Sequence, residues 1–355
     1  MYKFFSLFPW NPMAIQRLQK VTIKDIAKMC NVSTQTVSRV INNRPDVSPD
    51  TREAVEKAIA EMGYQPSALA RSLVQQRSYT LGVIIAGLKY VGVSQTLNGI
   101  TEQCEASGYA LLIKELPRFD TSNIVQVIES LIAHHVEGII FAAPELKENV
   151  KIAQAQLPTF CPPIIFLKSQ ATPNYATASV DNYGGARRAV EYLFSVGRHK
   201  VGLITGPLDW LEARQRKQGW EDALSSVGDD YEQRWTQGNW SSSSGESAFA
   251  ELVQKFPDMD AVFVSNDQMA LGVLHYTHVH GIRVPEDMAI IGFDDLVESA
   301  YYTPSLTTVT HPLRELGILG VKTILAQIEG TESRFSGKVL VLKTELVVRE
   351  STPKS

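Results

Sequence analysis

The chain has 355 residues, 44% hydrophobic and 20% charged, which excludes a globally disordered protein and leaves room for more than one domain. Its three cysteines, Cys30, Cys104 and Cys161, are far apart with no CxxC pair, which excludes a disulfide framework or a cysteine zinc site and fits a reducing, cytoplasmic setting. The net charge of −4 hides an asymmetry: residues 14–79 carry +4 and residues 80–355 carry −9, a small basic head on a large acidic body.

Residues 1–19 form an N-terminal extension. Its apolar run, MYKFFSLFPWNP, is broken by Pro9 and Pro12 and lacks a small-residue cleavage site, so no export signal is expected, and Met13 is an alternative start. No apolar run of about eighteen residues occurs, so no membrane span is expected. Residues 20–66 read as three short helices. Thr22 with Asp25 three positions on resembles a capping box, opening a helix whose apolar side is Ile23, Ile26, Ala27 and Cys30. Asn31 tolerates the left-handed turn that ends it, and Ser33 caps a second helix. There Val37, Val40 and Ile41 share one face, while Thr34, Gln35, Ser38 and Arg39 project from the other. Ser48-Pro49 opens a third helix that runs to a Gly63 stop. The result is a helix-turn-helix, with the polar face of its second helix where groove-facing residues belong.

The stretch VTIKDIAKMCNVSTQTVSRVINNRPDVSPDTREAVEKAIAEMGYQPSALARSLV resembles the head and hinge of the LacI/GalR (lactose-repressor) family of bacterial transcription regulators. Asn31 stands where that family more often has glycine. The resemblance implies that Thr34, Gln35 and Arg39 read bases and that Thr22, Ser33 and Asn42 lie near phosphates. It also implies that residues 67–79 form a hinge whose helix folds only on DNA, pairing through Ala68 and Ala70 and inserting Leu73 into the minor groove. The partners it implies are a second copy of the chain and a pseudo-palindromic double-stranded operator.

The body alternates buried-type strands with helix-length segments. LGVII (81–85), YALLI (109–113), GIIFAAP (138–144) and PIIFLK (163–168) make one series, and VGLITGP (201–207), DAVFVSND (260–267) and MAIIGFDD (288–295) a second. The expected class is α/β: after the three-helix head and hinge helix comes a two-lobed core of doubly wound parallel sheets over 80–350, with chain crossings near 180, 310 and 335 that place LTTVTHP and VLKTELVV. The first lobe is expected to take 80–178 and 310–334, the second 179–309 and 335–350. This arrangement resembles the periplasmic sugar-binding fold.

Ligands of open parallel sheets bind beyond the carboxyl ends of the strands. Asn266-Asp267, Asp294-Asp295, Arg216 and Trp240 fall there, and guanidinium and carboxylate groups with an aromatic face suit a polyhydroxyl ligand. The family pattern makes Arg216, Trp240, Asn266 and Asp294 effector contacts, with Phe166 a fifth candidate; Lys168 has no reading from sequence. Asp267 and Asp295 read as caps, and His275, His278 and His280 as helix-end decoration, with no metal expected. Asn182-Tyr183-Gly184-Gly185 lacks a phosphate-loop pattern, and no nucleophile and base pair emerges, so neither a cofactor nor catalysis is expected. Two readings stay open. One is an effector-controlled DNA-binding regulator, a repressor of carbohydrate-use genes; the other is a sugar- or nucleobase-binding protein, or a sugar-acting enzyme, with an accessory helical head. A basic helix-turn-helix in place of an export signal favours the regulator.

Overall fold

The computed structural model describes residues 21–64, 77–119, 122–146, 149–158, 160–228, 232–333 and 337–353. It divides into two compact units, one ending at Ser78 and one beginning at Tyr79. The extension 1–19 and most of the hinge, including Ala68, Ala70 and Leu73, lie outside the described residues.

In the first unit the local signals dictate the helices. The Asp25 carboxylate accepts from the Thr22 N–H at 2.8 Å and its hydroxyl at 2.7 Å, opening α1 (Ile23–Met29). Asn31 takes φ 51°, and the Ser33 hydroxyl accepts from the Thr36 N–H at 3.0 Å to start α2 (Thr34–Ile41). Ser48 and Pro49 open α3 (Pro49–Met62), which stops at Gly63 with φ 61°. Ile26, Ala27, Val37, Val40, Val55 and Ala58 close one small core. Arg52 from α3 fastens the α2–α3 loop by donating to the Asn43 side chain at 2.9 Å and the Arg44 carbonyl at 2.5 Å.

The second unit has two lobes. The first runs β1 (Thr80–Ile85), α4 (Val91–Ala106), β2 (Ala110–Glu115), α5 (Ile124–Ala133), β3 (Gly138–Phe141), α6 (Asn149–Ala155), β4 (Ile164–Leu167) and β5 (Ala176–Val180). The second runs α7 (Asn182–Ser195), β6 (Val201–Thr205), α8 (Leu211–Ser225), β7 (Trp235–Gln237), α9 (Ser242–Lys255), β8 (Ala261–Val264), α10 (Asp267–Val279), β9 (Ala289–Ile291) and β10 (Thr308–Val309). The chain then returns through α11 (Leu313–Ile328) and β11 (Val339–Leu342) to the first lobe, and ends with β12 (Leu346–Val347) against β10. The six-stranded sheet has the order β11-β5-β4-β3-β1-β2 and the four-stranded sheet β7-β6-β8-β9, both wholly parallel. Each sheet buries apolar side chains on both faces, as crossover helices require.

Three details depart from the sequence reading. The strands β5 and β7 were not anticipated: ATASV lacks the large apolar residues that mark a buried strand, and WTQ is a short edge strand. The segment 335–350 does not belong wholly to the second lobe. Its period-2 pattern reads as one strand, but Lys343, Thr344 and Glu345 carry the chain between lobes, so β11 pairs with β5 in the first and β12 with β10 in the second. The crossings therefore fall at 181, 310–312 and 343–345, and they bond to one another. Thr310 and Glu345 exchange hydrogen bonds at 2.8 Å, and the Thr344 hydroxyl donates to the Asp181 carbonyl at 3.3 Å.

The helices α4 and α11 approach through glycine. A Cβ at Gly99 would land on the Arg314 carbonyl carbon and oxygen, and one at Gly317 on the Thr96 carbonyl. Because rigid backbone is what each would meet, Gly99→Ala is expected to destabilise the core by about 1–3 kcal/mol, read as a lower urea midpoint of its unfolding transition by circular dichroism. An unchanged midpoint would mean that the two helices separate freely.

Candidate functional site

On the first unit, α2 buries Val37 and Val40 and leaves Thr34, Gln35 and Arg39 exposed on the opposite side, with Ser38 half-buried beside them. Arg39 reaches the Asp46 carboxylate at 3.6 Å, an exposed pair that aims the guanidinium without immobilising it. Asn42 ends the helix, and its amide donates to the Ser38 carbonyl at 2.7 Å. Thr22 and Ser33 stand exposed at the two helix N-termini, where main-chain N–H groups favour anions. The face is thus polar and cationic over a rigid apolar base.

In the second unit the loops after the strands converge on a cleft between the lobes, enclosing a cavity of about 60 Å³. The first lobe contributes Tyr90 after β1 and Lys168 after β4; the second contributes Trp210 and Glu212 after β6, Trp240 after β7, Asn266 after β8, Asp294 after β9 and His311 after β10. Trp210 crosses the cleft and packs edge-on against Tyr90 at 5.0 Å and Phe119 at 5.3 Å. Beside it the Leu211 N–H donates to the Glu145 carbonyl at 3.0 Å, so the lobes are closed on one another. A cavity this size holds a few waters. A larger molecule requires the lobes to part.

Arg216 organises the second lobe's share. Its side chain is 3% exposed, Nε donates to Asn182 Oδ1 at 2.9 Å, Nη1 donates to the Ser265 carbonyl and lies 3.5 Å from Asp294, and the guanidinium stacks on Phe293 at 3.7 Å. Asp294 sits at φ 121°, a left-handed conformation that non-glycine residues seldom adopt. Asp267 accounts for it. Its N–H donates to the Phe293 carbonyl at 2.8 Å, and its carboxylate accepts from the Leu296 N–H at 2.9 Å and the Thr308 hydroxyl at 2.6 Å, clamping both sides of Asp294. Burial first, then the Asp294 charge, push the Asp267 carboxyl up to about 7. The His311 Nδ1 lies 2.9 Å from Asp294 Oδ1 and 3.2 Å from Arg216 Nη2, between an acceptor and a donor. Burial pushes the His311 imidazole down to about 4.

Four of the five residues expected at the ligand site therefore line one cleft: Arg216, Trp240, Asn266 and Asp294. Phe166 does not. It is fully buried within β4, against Phe141 at 5.3 Å and Tyr175 at 5.6 Å, short of the strand end that faces the cleft. Lys168, two residues on, is brought to the cleft by leaving the strand at φ 57°. Trp240, at φ 75°, is both wall and core: it lines the cavity, abuts Gly206 and packs edge-on against Trp210 at 5.8 Å. Asn266 caps α10, accepting from the Met269 N–H at 2.9 Å while donating to the Trp240 carbonyl at 3.1 Å. Asp295, read as a cap, accepts from Arg349 at 2.7 Å. Tyr90, Trp210, Glu212 and His311 were missed; only Glu212, one helical turn before Arg216, carried a usable signal. Two buried polar atoms at the cleft have no partner, Glu212 Oε2 and Trp240 Nε1. Among the described residues no cluster of metal-ligating side chains occurs, and no helix is long and apolar enough to cross a membrane.

A helix-turn-helix joined in one chain to a closed two-lobed cleft defines a ligand-responsive DNA-binding protein. The comparisons agree: residues 22–67 match the bacterial regulatory proteins of the lacI family, and residues 190–352 the periplasmic binding protein-like domain. The ribose operon repressor of Escherichia coli (strain K12) is 32% identical over 86% of this chain and 93% of its own length. The transcriptional repressor PurR of Haemophilus influenzae (strain PittEE) is 32% identical over 93% of this chain and 98% of its own. The crystal structure of the lac repressor dimer bound to operator and the anti-inducer ONPF superposes with a TM-score of 0.85 at 30% identity, covering 95% of this chain and all of that one. The CelR–cellobiose complex gives 0.67 at 29%, covering 93% and 99%. The chain belongs to the LacI family of bacterial regulatory proteins and is a DNA-binding transcriptional regulator.

Two outcomes follow from the cleft. Arg216→Ala leaves Asp294 and the Ser265 carbonyl without their buried partner, so it is expected to destabilise the core by about 3 kcal/mol, measured by urea unfolding, where loss of a surface arginine would leave the midpoint unmoved. The second concerns pH. The unfolded imidazole of His311 takes up a proton near 6.5 and the folded one only near 4, so the unfolded state binds more protons in between and stability falls as pH drops through that window. His311→Gln is expected to flatten this part of the profile; parallel profiles for variant and parent would contradict it.

Proposed function

We propose that the chain is a cytoplasmic repressor of carbohydrate-use genes. It binds a pseudo-palindromic operator as a homodimer, and a sugar in the interlobe cleft controls its operator affinity. The observation that carries this reading is the pairing, in one chain, of an exposed Thr34, Gln35 and Arg39 face with a closed cleft holding orphaned polar atoms. In this reading Thr34, Gln35, Ser38 and Arg39 meet base edges, and Thr22, Ser33 and Asn42 meet phosphates. Arg216, Trp240, Asn266 and Asp294 surround the effector. The hinge, with Ala70 and Leu73, orders on DNA. Support for a dimer comes from the lac repressor, whose structure is of a dimer on operator. Support for a sugar comes from relatives named for ribose and from a complex with cellobiose.

A nucleobase is the second reading, raised by the PurR relatives. The aromatic groups at the cleft weigh against it. Trp210 meets Tyr90, Phe119 and Trp240 at interplanar angles of 70–71°, so no parallel pair is set to sandwich a flat ring. Edge-on walls with polar ends suit a puckered ring that carries hydroxyls at its rim.

A gel shift on operators selected from random duplexes tests the reading. Gln35→Ala should weaken operator binding by about 1–3 kcal/mol while leaving random-sequence binding intact, since base-edge bonds carry sequence and phosphate contacts do not. Equal weakening on both DNAs would remove Gln35 from the base-reading set.

A further inference from the structure

One acidic side chain stands beside the cationic face of the first unit. Asp46 lies in the α2–α3 loop, more than half exposed, with its carboxylate 3.6 Å from Arg39 Nε. The loop is fixed on both sides of it. Arg52 donates to the Asn43 side chain and the Arg44 carbonyl, and the Arg44 N–H donates to the Arg39 carbonyl at 2.9 Å. Val47 packs on the helical core, and the Ser48 hydroxyl accepts from the Thr51 N–H at 3.4 Å. The carboxylate therefore has a set position, and the long Arg39 side chain is what swings to it. The contact is made by Nε, which leaves the two terminal nitrogens, with most of the guanidinium's N–H donors, at the outer end.

An acid on a DNA-facing surface is unfavourable by itself, because it repels every phosphate near it. Nor does the pair add much stability, since both partners are exposed. What it changes is where Arg39 can bind. An unpaired arginine neutralises a phosphate on any sequence, whereas a base edge in the major groove is met only by a guanidinium held in one direction. A face laid in a groove also loses water, so the ion pair strengthens on DNA instead of dissolving.

We propose that Asp46 determines sequence specificity: its carboxylate, held by the loop, keeps the Arg39 guanidinium off phosphates and presents the terminal nitrogens to a base edge. Guanine is the base that fits, because its O6 and N7 together accept from such a fork. This rests on the reading of Arg39 as a base-contacting residue. Asp46 is itself a positioning residue, acting on DNA through Arg39. It lowers binding to all DNA, and lowers it most on random sequence.

The test uses the full-length chain, operators selected from random duplexes, and gel shifts at several salt concentrations. Asp46→Asn keeps the side chain's shape and removes its charge. It should bind random duplex roughly three- to tenfold more tightly, with a salt slope steeper by about one, since a released Arg39 adds a phosphate contact. Its preference for operator over random DNA should fall, and selection with it should relax one base pair per half-site, the same one that Arg39→Ala relaxes. Asp46→Glu, which keeps the charge, should retain the parent's low affinity for random DNA. In an Arg39→Ala background, Asp46→Asn should leave the operator-to-random ratio unchanged, because only the general repulsion remains to be lost. The urea midpoint of Asp46→Asn should match the parent's. A lowered midpoint with both DNAs weakened equally would make Asp46 a loop-stabilising residue and overturn the proposal. So would a parental operator-to-random ratio and base preference in Asp46→Asn. If Arg39→Ala relaxes a base pair and Asp46→Asn does not, the proposal alone falls; if Arg39→Ala weakens operator and random DNA by the same factor, the base-reading role of Arg39 falls and the proposal with it.

Discussion

One guanidinium holds the ligand lobe's working surface together. Arg216 reaches the start of α7 through Asn182, the end of β8 through the Ser265 carbonyl and the loop after β9 through Asp294, and it stacks on Phe293. Two of these points adjoin chain crossings between the lobes, at Asp181 and at His311, whose imidazole bonds the same Asp294. A buried arginine is tolerated only when nearly all its donors are used, and the planar fork is what lets one side chain serve strand ends that diverge. The cleft's shape and the hinge between lobes therefore share a single anchor.

Around that anchor lies a layer of backbone strain. Lys168 takes positive φ directly after β4, and Trp240, Asp294 and Asp295 take it in the loops that follow β7 and β9, where an ordinary residue would avoid it. Lys168, Trp240 and Asp294 turn their side chains to the cleft, and Asp295 accepts from Arg349 beside it. Asp267 shows how such a conformation is maintained: fully buried itself, it holds Leu296, Ser299 and Thr308 in fixed positions around Asp294. Strain at the site is balanced by hydrogen bonds just behind it.

Much of the architecture was legible in the sequence because local rules and tertiary structure agree there. The helix starts at Thr22, Ser33 and Ser48 and the stops at Asn31 and Gly63 stand where capping chemistry puts them. The buried strands showed as β-branched runs. What stayed hidden were features set by nonlocal context. ATASV is a central strand only because β4 and β11 flank it. VLVLKTELVV reads as one strand until the lobes separate its halves. At the cleft, strand-end position and the family resemblance pointed to Arg216, Trp240, Asn266 and Asp294, which line one cavity. The resemblance also named Phe166, which stays inside β4 short of the strand end, and the reading missed Tyr90, Trp210, Glu212 and His311, since a contact across two lobes leaves no periodicity in either.

The closed cleft has an energetic consequence for control. Burial disfavours the charged forms of both Lys168 and Glu212, pushing the ammonium down to about 8 and raising the carboxyl, so the closed state without ligand bears a desolvation penalty that each offsets only in part for the other. Opening the lobes rehydrates both groups. The Trp210 contact with Tyr90 and Phe119 opposes opening with aromatic burial. A ligand can shift such an equilibrium only by its difference in affinity between the open and closed forms. The crossings at 181, 310–312 and 343–345 are hydrogen-bonded to one another, so a change in lobe angle is taken up by all three together. Reciprocity then requires that a ligand which favours one lobe arrangement, and an operator which favours one, change each other's affinity by the same factor, so the sign of control is set by whether the two favour the same arrangement.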